Sequence, residues 1–153
     1  MTVKVVETTS PELVKAVFTD PALWASSMDD LPVTREAWNP PMGPTAKWLA
    51  ITLDDKIVGV WFLARLNAAM WQIHVAHLPD TWGTGAARTV GPDALDKAFE
   101  VTGADKMYAM IPTSAKPVWQ FAKAMGMKIE GTCKRCWKKD GALLDAYHMG
   151  VYR

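Results

Sequence analysis

The most informative part of the sequence is residues 74–87, HVAHLPDTWGTGAA, which runs from His74 to Ala87. It predicts a strand that ends near Pro79, a turn that contains glycine, and then the start of a helix. Glycine lets the backbone adopt positive φ and approach a ligand closely. The first amides of a helix lack partners within the helix, and the helix dipole favours anions there. The stretch therefore indicates a phosphate-binding turn, although a plain tight turn explains an isolated Gly-x-Gly equally well.

Two better-known glycine-rich motifs do not fit this turn. A P-loop places Lys and then Ser or Thr after its last glycine, whereas Ala86 and Ala87 follow here. A Rossmann fingerprint needs a third small residue further along, an acidic residue at the end of a second strand, and a position after the first strand. The turn here follows the fourth predicted strand, so we expect neither of these nucleotide sites.

The rest of the chain predicts short strands and helices in the order β-α-α-β-β-β-α-β-α-β-β. Ser10 is expected to cap the first helix, and Asp140-Gly141 to form the turn of a last hairpin. Pro92 is expected to kink the third helix or to separate its first turn. The predicted strands are Val3–Glu7, Lys47–Leu53, Lys56–Leu66, Ala69–Leu78, Lys106–Ile111, Lys128–Lys138 and Ala142–Tyr152. The first predicted helix opens at Ser10-Pro11-Glu12 and has an apolar face of Leu13, Val14, Val17 and Phe18. The other predicted helices are Pro21–Met28, Thr84–Thr102 and Ala115–Met125.

Length and composition restrict the class of protein. The chain has 153 residues, half of them apolar, which predicts a single domain over residues 1–153 with one real core. The formal net charge of +1 gives no general attraction to nucleic acid or to an anionic membrane. The longest apolar run, Ile57–Ala64, is too short to span a bilayer, and the N-terminus does not look like a signal peptide. We therefore expect a cytoplasmic protein.

Cys133 and Cys136 form a C-x-x-C pair within a predicted strand. A zinc site would need a second pair or nearby histidines, and only His148 follows. Redox pairs usually lie at a helix N-terminus, and residues three apart in a regular strand point to opposite faces. We expect no metal site and no redox chemistry here.

Three features, in order along the chain, resemble the GNAT superfamily of acyl-CoA N-acyltransferases. The first is the turn Trp82–Ala87, which follows Pro79 at the family's usual spacing and is similar to its loop Arg/Gln-Gly-x-Gly-x-Gly/Ala. The second is the segment Ala115–Met127 with Glu130-Gly131 after it. The third is the closing hairpin, Arg135 to Tyr147, which looks like the ribosomal-protein acetyltransferase branch. The resemblance covers about residues 47–152, and Val5–Asp30 looks like small phage-encoded members.

The resemblance implies an α/β (α+β) fold with a mixed, mostly antiparallel central sheet and helices on both faces. Strands Ala69–Leu78 and Lys106–Ile111 would be parallel neighbours that splay apart at their C-terminal ends. It also implies acetyl-CoA (coenzyme A) as co-substrate, with its pyrophosphate at the amides of the glycine turn. The cofactor-binding residues expected on this basis are His77, Leu78, Gly83, Thr84, Gly85, Ala86, Ala87 and Arg88.

The implied reaction is transfer of an acetyl group to an amine, and that amine must first lose a proton. His77 and His74 lie on the strand before the turn, where this fold places its base, and histidine has a suitable pKa. They face opposite sides of a regular strand, so at most one serves, and each could equally be a packed strand residue. Tyr108 is a candidate acid in place of the family's tyrosine, although a core tyrosine is the simpler interpretation.

The sequence departs from the family at three positions. Trp82 replaces the basic or amide residue of the loop, Ala115 stands where Asn is frequent, and Ala122 stands where many members have the acidic Tyr. These departures keep a second hypothesis open, a non-catalytic GNAT-fold protein of phage assembly or host interaction. The acceptor would be a small-molecule or protein amine, and a homodimer or a protein partner is also conceivable. Residues that could form the acceptor side, or only a solvated helix end, are Trp24, Asp29, Asp30, Arg35 and Trp38.

Overall fold

A computed structural model of residues 1–153 shows seven strands and four helices. The strands are β1 (Val3–Thr8), β2 (Ala46–Leu53), β3 (Lys56–Arg65), β4 (Met70–His77), β5 (Lys106–Pro112), β6 (Lys128–Lys139) and β7 (Ala142–Tyr152). The helices are α1 (Pro11–Phe18), α2 (Pro21–Ser27), α3 (Ala86–Thr102) and α4 (Lys116–Ala124). Each predicted element is present, with ends that differ by one or two residues.

Local sequence signals account for the helix ends. The Ser10 hydroxyl accepts a hydrogen bond from the Leu13 amide at 3.2 Å, as expected of an N-cap. Gly85 has a φ of 84°, in the left-handed region, so α3 begins at Ala86 rather than at the predicted Thr84. Pro92 does not divide this helix, which runs as one element from Ala86 to Thr102. No helix has both the length and the apolar character that crossing a bilayer requires.

The seven strands form one sheet in the order β1-β2-β3-β4-β5-β7-β6. All neighbours are antiparallel except β4 and β5, which are parallel because α3 connects them as a crossover. This pair is in register at only three positions, the last of which is Gln72 opposite Tyr108. Both strands continue beyond that point without pairing with each other, so the predicted mixed sheet with a splayed parallel pair is confirmed.

Helices cover both faces of the sheet. On one face α3 and α4 pack over a core that includes Trp61, Phe99, Met107 and Met149. On the other face α1 and α2 pack over a smaller core. The gap between β4 and β5 therefore lies between two helical layers. The smaller core consists of Val14, Val17, Leu23, Trp48, Val60 and Ala76.

Candidate active site

The splayed strands open into a cavity of about 850 Å³, a size typical of ligand sites. From one face of the sheet, α3, α4 and the glycine turn line it, with residues such as Gly85, Arg88 and Phe121. From the other face, α2, the residue after it and the β6–β7 hairpin line it, with Leu23, Met28 and Leu144 among them. The cavity thus connects the two faces through the gap in the sheet. We call these two parts the loop side and the hairpin side.

The glycine turn presents unpaired backbone donors to the loop side. Gly83 and Gly85 have φ values of 72° and 84°. The amides of Gly83, Gly85, Ala87 and Arg88 have no hydrogen-bond partner in the protein. A Cβ atom built on Gly85 would meet no atom within 4 Å. Free amides at a helix N-terminus, with open space in front of them, are an arrangement that binds a phosphate group.

Two of the predicted loop residues have another role. The amide of Ala86 donates to the Thr84 hydroxyl at 3.2 Å, so these two residues stabilise the turn itself. The Leu78 amide donates to the Val58 carbonyl at 2.8 Å and is not free for a ligand. In the glycine turn, the N–H groups that remain free to bind an anion are therefore those of Gly83, Gly85, Ala87 and Arg88.

The end of β4 directs one peptide toward the gap. His77 lies opposite Gly59 of β3, and the bond from Leu78 to Val58 makes this a non-hydrogen-bonded pair. The N–H and C=O of His77 therefore point away from β3, toward the gap where β5 is no longer paired with β4. The Trp82 indole N–H donates to this carbonyl at 2.9 Å. The Trp82 side chain thus connects the glycine turn to the end of β4.

The His77 side chain belongs to the wall on the loop side. It is 8% exposed, and its Nε2 accepts the Trp61 indole N–H at 2.9 Å. The edge of Phe121 lies against it, with ring centroids 5.7 Å apart. Burial lowers the pKa of His77 to about 4, which leaves its ring neutral and a weak base. The catalytic role assigned to His77 stays a prediction, and these contacts do not favour it.

The His74 side chain has the opposite setting. It lies on the other face of β4, stacked on Phe62 with ring centroids 5.8 Å apart, and it lines the cavity. Neither ring nitrogen has a hydrogen-bond partner in the protein. The ring is exposed to the solvent of the cleft, but the surrounding protein lowers its pKa by desolvation. His74 therefore offers an unprotonated, unengaged nitrogen to the cavity at neutral pH.

Tyr108, the third candidate, lies outside the cavity lining. It is on the paired part of β5, and its hydroxyl is 2.5 Å from Nδ1 of His148. Burial raises its pKa, and the neighbouring cysteines add to this. Of the four hydroxyls that do line the cavity, those of Thr81 and Ser26 donate to backbone carbonyls, whereas those of Ser27 and Ser114 have no hydrogen-bond partner. Nothing in the sequence pattern singled out Ser114.

The acidic residues proposed for the acceptor are engaged elsewhere. The Asp30 carboxylate accepts the amides of Asp140 and Gly141, both at 2.8 Å, which lowers its pKa. Asp29 accepts the Leu31 amide at 3.0 Å. Neither lines the cavity. The expectation that this acidic pair faces the acceptor is therefore not met.

The hairpin contributes residues that sequence reasoning missed. Lys139 lines the cavity, and its ammonium group donates to the carbonyls of Ala25, at 2.7 Å, and Met28. Trp137 and Leu144, which are paired across the hairpin, also line it. The remaining residues expected on this side pack among themselves or bond the backbone. Trp24 and Trp38 contact Phe18, and Arg35 donates to the Thr19 carbonyl.

The C-x-x-C pair lies on a bulge that the sequence did not reveal. The register of β6 on β7 shifts between Cys133 and Trp137, and Arg135 has a φ of 53°. The bulge removes the strict alternation that would place the two thiols on opposite faces, and a hydrogen bond with Cys136 raises the pKa of Cys133. The prediction from strand alternation was therefore wrong at this pair, although both thiols lie outside the cavity lining.

Comparisons with solved structures identify the fold. The sequence matches no protein-family model and no curated protein. A GNAT-family acetyltransferase from Streptococcus pneumoniae superimposes with a TM-score of 0.71 at 15% identity, over 99% of both chains. Spermidine N-acetyltransferase from Vibrio cholerae, in complex with CoA and spermine, gives 0.75 at 14% identity, over 99% of this chain and 94% of that one.

A third protein, from Salmonella typhimurium and assigned as an acetyltransferase, was solved with its cofactor acetyl-CoA. It also gives a TM-score of 0.75 at 14% identity, over 99% of this chain and 94% of that one. These likenesses, which extend over nearly the whole chain, show that the protein has the GNAT fold.

Proposed function

We propose that this protein is an acetyl-CoA-dependent N-acetyltransferase that moves an acetyl group to an amine by direct attack. The observation that supports this most strongly is the cavity itself. It joins a set of free helix-terminal amides on the loop side to a chamber on the hairpin side that contains His74. One molecule can thus enter from each face and meet in the gap between β4 and β5.

The loop side fits the pyrophosphate of coenzyme A. The amides of Gly83, Gly85, Ala87 and Arg88 can donate to it, and the guanidinium of Arg88 adds a positive charge. Each hydrogen bond from an amide to a charged oxygen is worth about 1.5–3 kcal/mol. Acetyl-CoA supplies an activated thioester, and these residues bind and orient it. The N–H of His77, which points into the gap, is available to the thioester oxygen.

His74 is the group that we assign as the general base. An ordinary amine of pKa about 10.4 is almost fully protonated at pH 7, at a deficit of roughly 4.6 kcal/mol. His74 removes that proton first, and the neutral amine nitrogen then bonds to the acetyl carbon. As the carbon–sulfur bond breaks, coenzyme A leaves as the thiolate, and the nitrogen loses its remaining extra proton to the thiolate or to solvent. The absence of a tyrosine at Ala122 is tolerable, because the thiolate that leaves has a conjugate acid of pKa about 8.5. It departs with little help from an acid.

The alternative, a non-catalytic phage assembly or host-interaction protein, rests partly on tryptophan content. Most of that content is accounted for by packing. Trp48, Trp61 and Trp71 are 5% exposed or less, and only Trp82 is prominent on the surface. We therefore favour the enzyme, and with it a cytoplasmic location and an amine acceptor. A phage origin, a homodimer and a protein partner stay proposals without structural support.

Calorimetric titration with acetyl-CoA, followed by an assay of thiol release with primary amines, tests the proposal. We expect one molecule bound per chain and thiol release that depends on the amine. A protein that binds no acetyl-CoA would fit the non-catalytic alternative instead.

The base is tested by comparing His74→Gln with His77→Gln. His74→Gln should lower kcat by 10²–10⁴-fold, the usual range for general-base help, and remove the acidic limb of the pH–rate profile. It should leave the Kd for acetyl-CoA nearly unchanged. If His77→Gln instead removes that limb and His74→Gln does not, the base is His77.

A further inference from the structure

The hairpin side of the cavity contains no carboxylate, although Asp29 and Asp30 follow directly after Met28, which lines this side. No Asp or Glu side chain is among the residues that line the cavity on either side. The nearby acids are bound to the protein itself: Asp29 to the Leu31 amide, Asp30 to the turn of the hairpin, and Asp145 to Lys134 and Arg135. Asp30 and Asp145 use both carboxylate oxygens in these bonds and Asp29 uses one, and none of the three lines the cavity.

The charge that the hairpin side does contain is positive. Lys139 reaches the cavity wall, where its ammonium group bonds two carbonyls at the end of α2. Those carbonyls accept from two of its three N–H donors but do not cancel its charge. A second ammonium group on the acceptor would therefore lie near a like charge, without a counterion, in a cavity of low polarity.

Apart from Ser26 and Ser27 of α2, the rest of this wall is mostly apolar. Leu23 and Met28 contribute from α2 and its end, Met110 from β5, and Trp137 and Leu144 from the hairpin. On β5, Ala109 and Ile111 belong to the core beneath α3 and α4, so Met110 faces the hairpin side. His74 lies on the same side, so the amine to be deprotonated would have mostly apolar side chains around it.

From this lining we infer that the acceptor is a primary amine on an apolar body that carries no second positive charge. This inference rests on the proposed function, and it names the class of substrate. It separates the protein from the Vibrio cholerae structure that holds spermine, a polycation.

Three amines of one chain length test the inference without altering the protein. They are hexylamine, 6-aminohexanoate and 1,6-diaminohexane, which differ only in the group at the far end. With acetyl-CoA saturating, we expect kcat/KM for hexylamine to exceed that for the diamine at least tenfold, and 6-aminohexanoate to exceed the diamine as well. A diamine acetylated as efficiently as hexylamine would overturn the inference while leaving the proposed function intact. Transfer to none of the three would refute both.

A matched pair of variants tests whether the hairpin wall sets this preference. Leu144→Glu places a carboxylate on the cavity wall and should raise the diamine-to-hexylamine ratio of kcat/KM about tenfold. Leu143→Glu adds the same charge one residue earlier, on a side chain that is 48% exposed and does not line the cavity. It should leave the ratio unchanged. An equal change in both variants would show that charge anywhere on the hairpin acts, and would overturn the assignment to this wall.

Discussion

The two sides of the cavity are built in different ways. The anion donors of the loop side come from one continuous segment, Pro79 to Arg88, and they are backbone amides positioned by two glycines and a helix start. The hairpin side comes from α2, β5 and the β6–β7 hairpin, and it works through side chains. Lys139 and its partner Ala25 are 114 positions apart in sequence. A site made of local backbone can be recognised in a sequence, whereas one made of distant side chains cannot.

The largest effect is expected on the loop side, from Gly85→Asp. The position needs positive φ and faces open space where the anion would bind. Aspartate adds both bulk and a negative charge there, so the Kd for acetyl-CoA should rise at least a thousandfold, about 4 kcal/mol. Calorimetry with acetyl-CoA measures this.

Gly103→Asp is the matched control, since it sits at the opposite end of the same helix. Its φ is 64°, and a Cβ there also meets nothing within 4 Å. The backbone strain is therefore comparable, and acetyl-CoA affinity should stay within about twofold of the parent. Equal losses of affinity in the two variants would mean that strain in α3, rather than a site at its N-terminus, determines binding.

The sequence predicted most of what depends on local chemistry. The cap at Ser10 and the turn at Asp140-Gly141 are each encoded within a few residues, and the structure has both. The glycine turn was also predicted, but the helix after it begins at Ala86 and not at the predicted Thr84. Because β4 alternates, the sequence also placed His74 and His77 on opposite faces. It could not tell which face holds the chamber, since that depends on where α1 and α2 pack.

The failures of prediction come from contacts between distant segments. Asp30 was a candidate for an acceptor site, but it binds the hairpin turn more than a hundred residues away. The bulge between Cys133 and Trp137 changes the face on which a side chain lies, and no residue pattern announced it. Tyr108 was placed near the reaction by its strand alone, but β5 diverges from β4 only after that position.

The second prediction concerns the buried His77 in the wall of the loop side, and how it makes the free energy of unfolding depend on pH. An unfolded histidine has a pKa near 6.5, whereas burial holds that of His77 at about 4. The unfolded chain therefore takes up a proton that the folded protein excludes. The contribution of neutral His77 to the free energy of unfolding is fully present above pH 6.5 and is lost as pH falls from 6.5 to about 4. This difference corresponds to roughly 3 kcal/mol.

Urea unfolding between pH 7 and pH 4 measures this effect in the parent and in His77→Gln. Glutamine keeps a polar group near Trp61 but does not titrate, so the variant should lose roughly 3 kcal/mol less than the parent over this range. Parallel curves for the two proteins would mean that His77 is hydrated in solution. The description of His77 as part of a closed wall would then be wrong.

The third prediction tests how the hairpin side is held together. Asp30→Asn replaces one of the two oxygens that accept the Asp140 and Gly141 amides with a donor, which faces an N–H. The hairpin should then shift relative to α2, and a small misplacement of an acceptor is costly. We expect KM for hexylamine to rise roughly tenfold and the Kd for acetyl-CoA to stay the same. Asp29→Asn, which affects only a local bond to Leu31, is the control, and a matching rise there would exclude the hairpin contact as the cause.

The smallest effect is expected at Arg88, because its guanidinium is exposed and its contribution adds to that of the amides. Arg88→Gln should weaken acetyl-CoA binding three- to tenfold, in line with about 1 kcal/mol for an exposed charge contact. The loss should shrink as salt is added, because screening weakens the parent more than the variant. Lys97→Gln removes the same charge from the same helix, about 13 Å further along, and should have no effect.

Dephospho-acetyl-CoA, which keeps the pyrophosphate but lacks the 3′-phosphate, should show the same loss of affinity on Arg88→Gln. If the penalty disappears with that ligand, Arg88 contacts the 3′-phosphate, and the pyrophosphate depends on backbone amides alone.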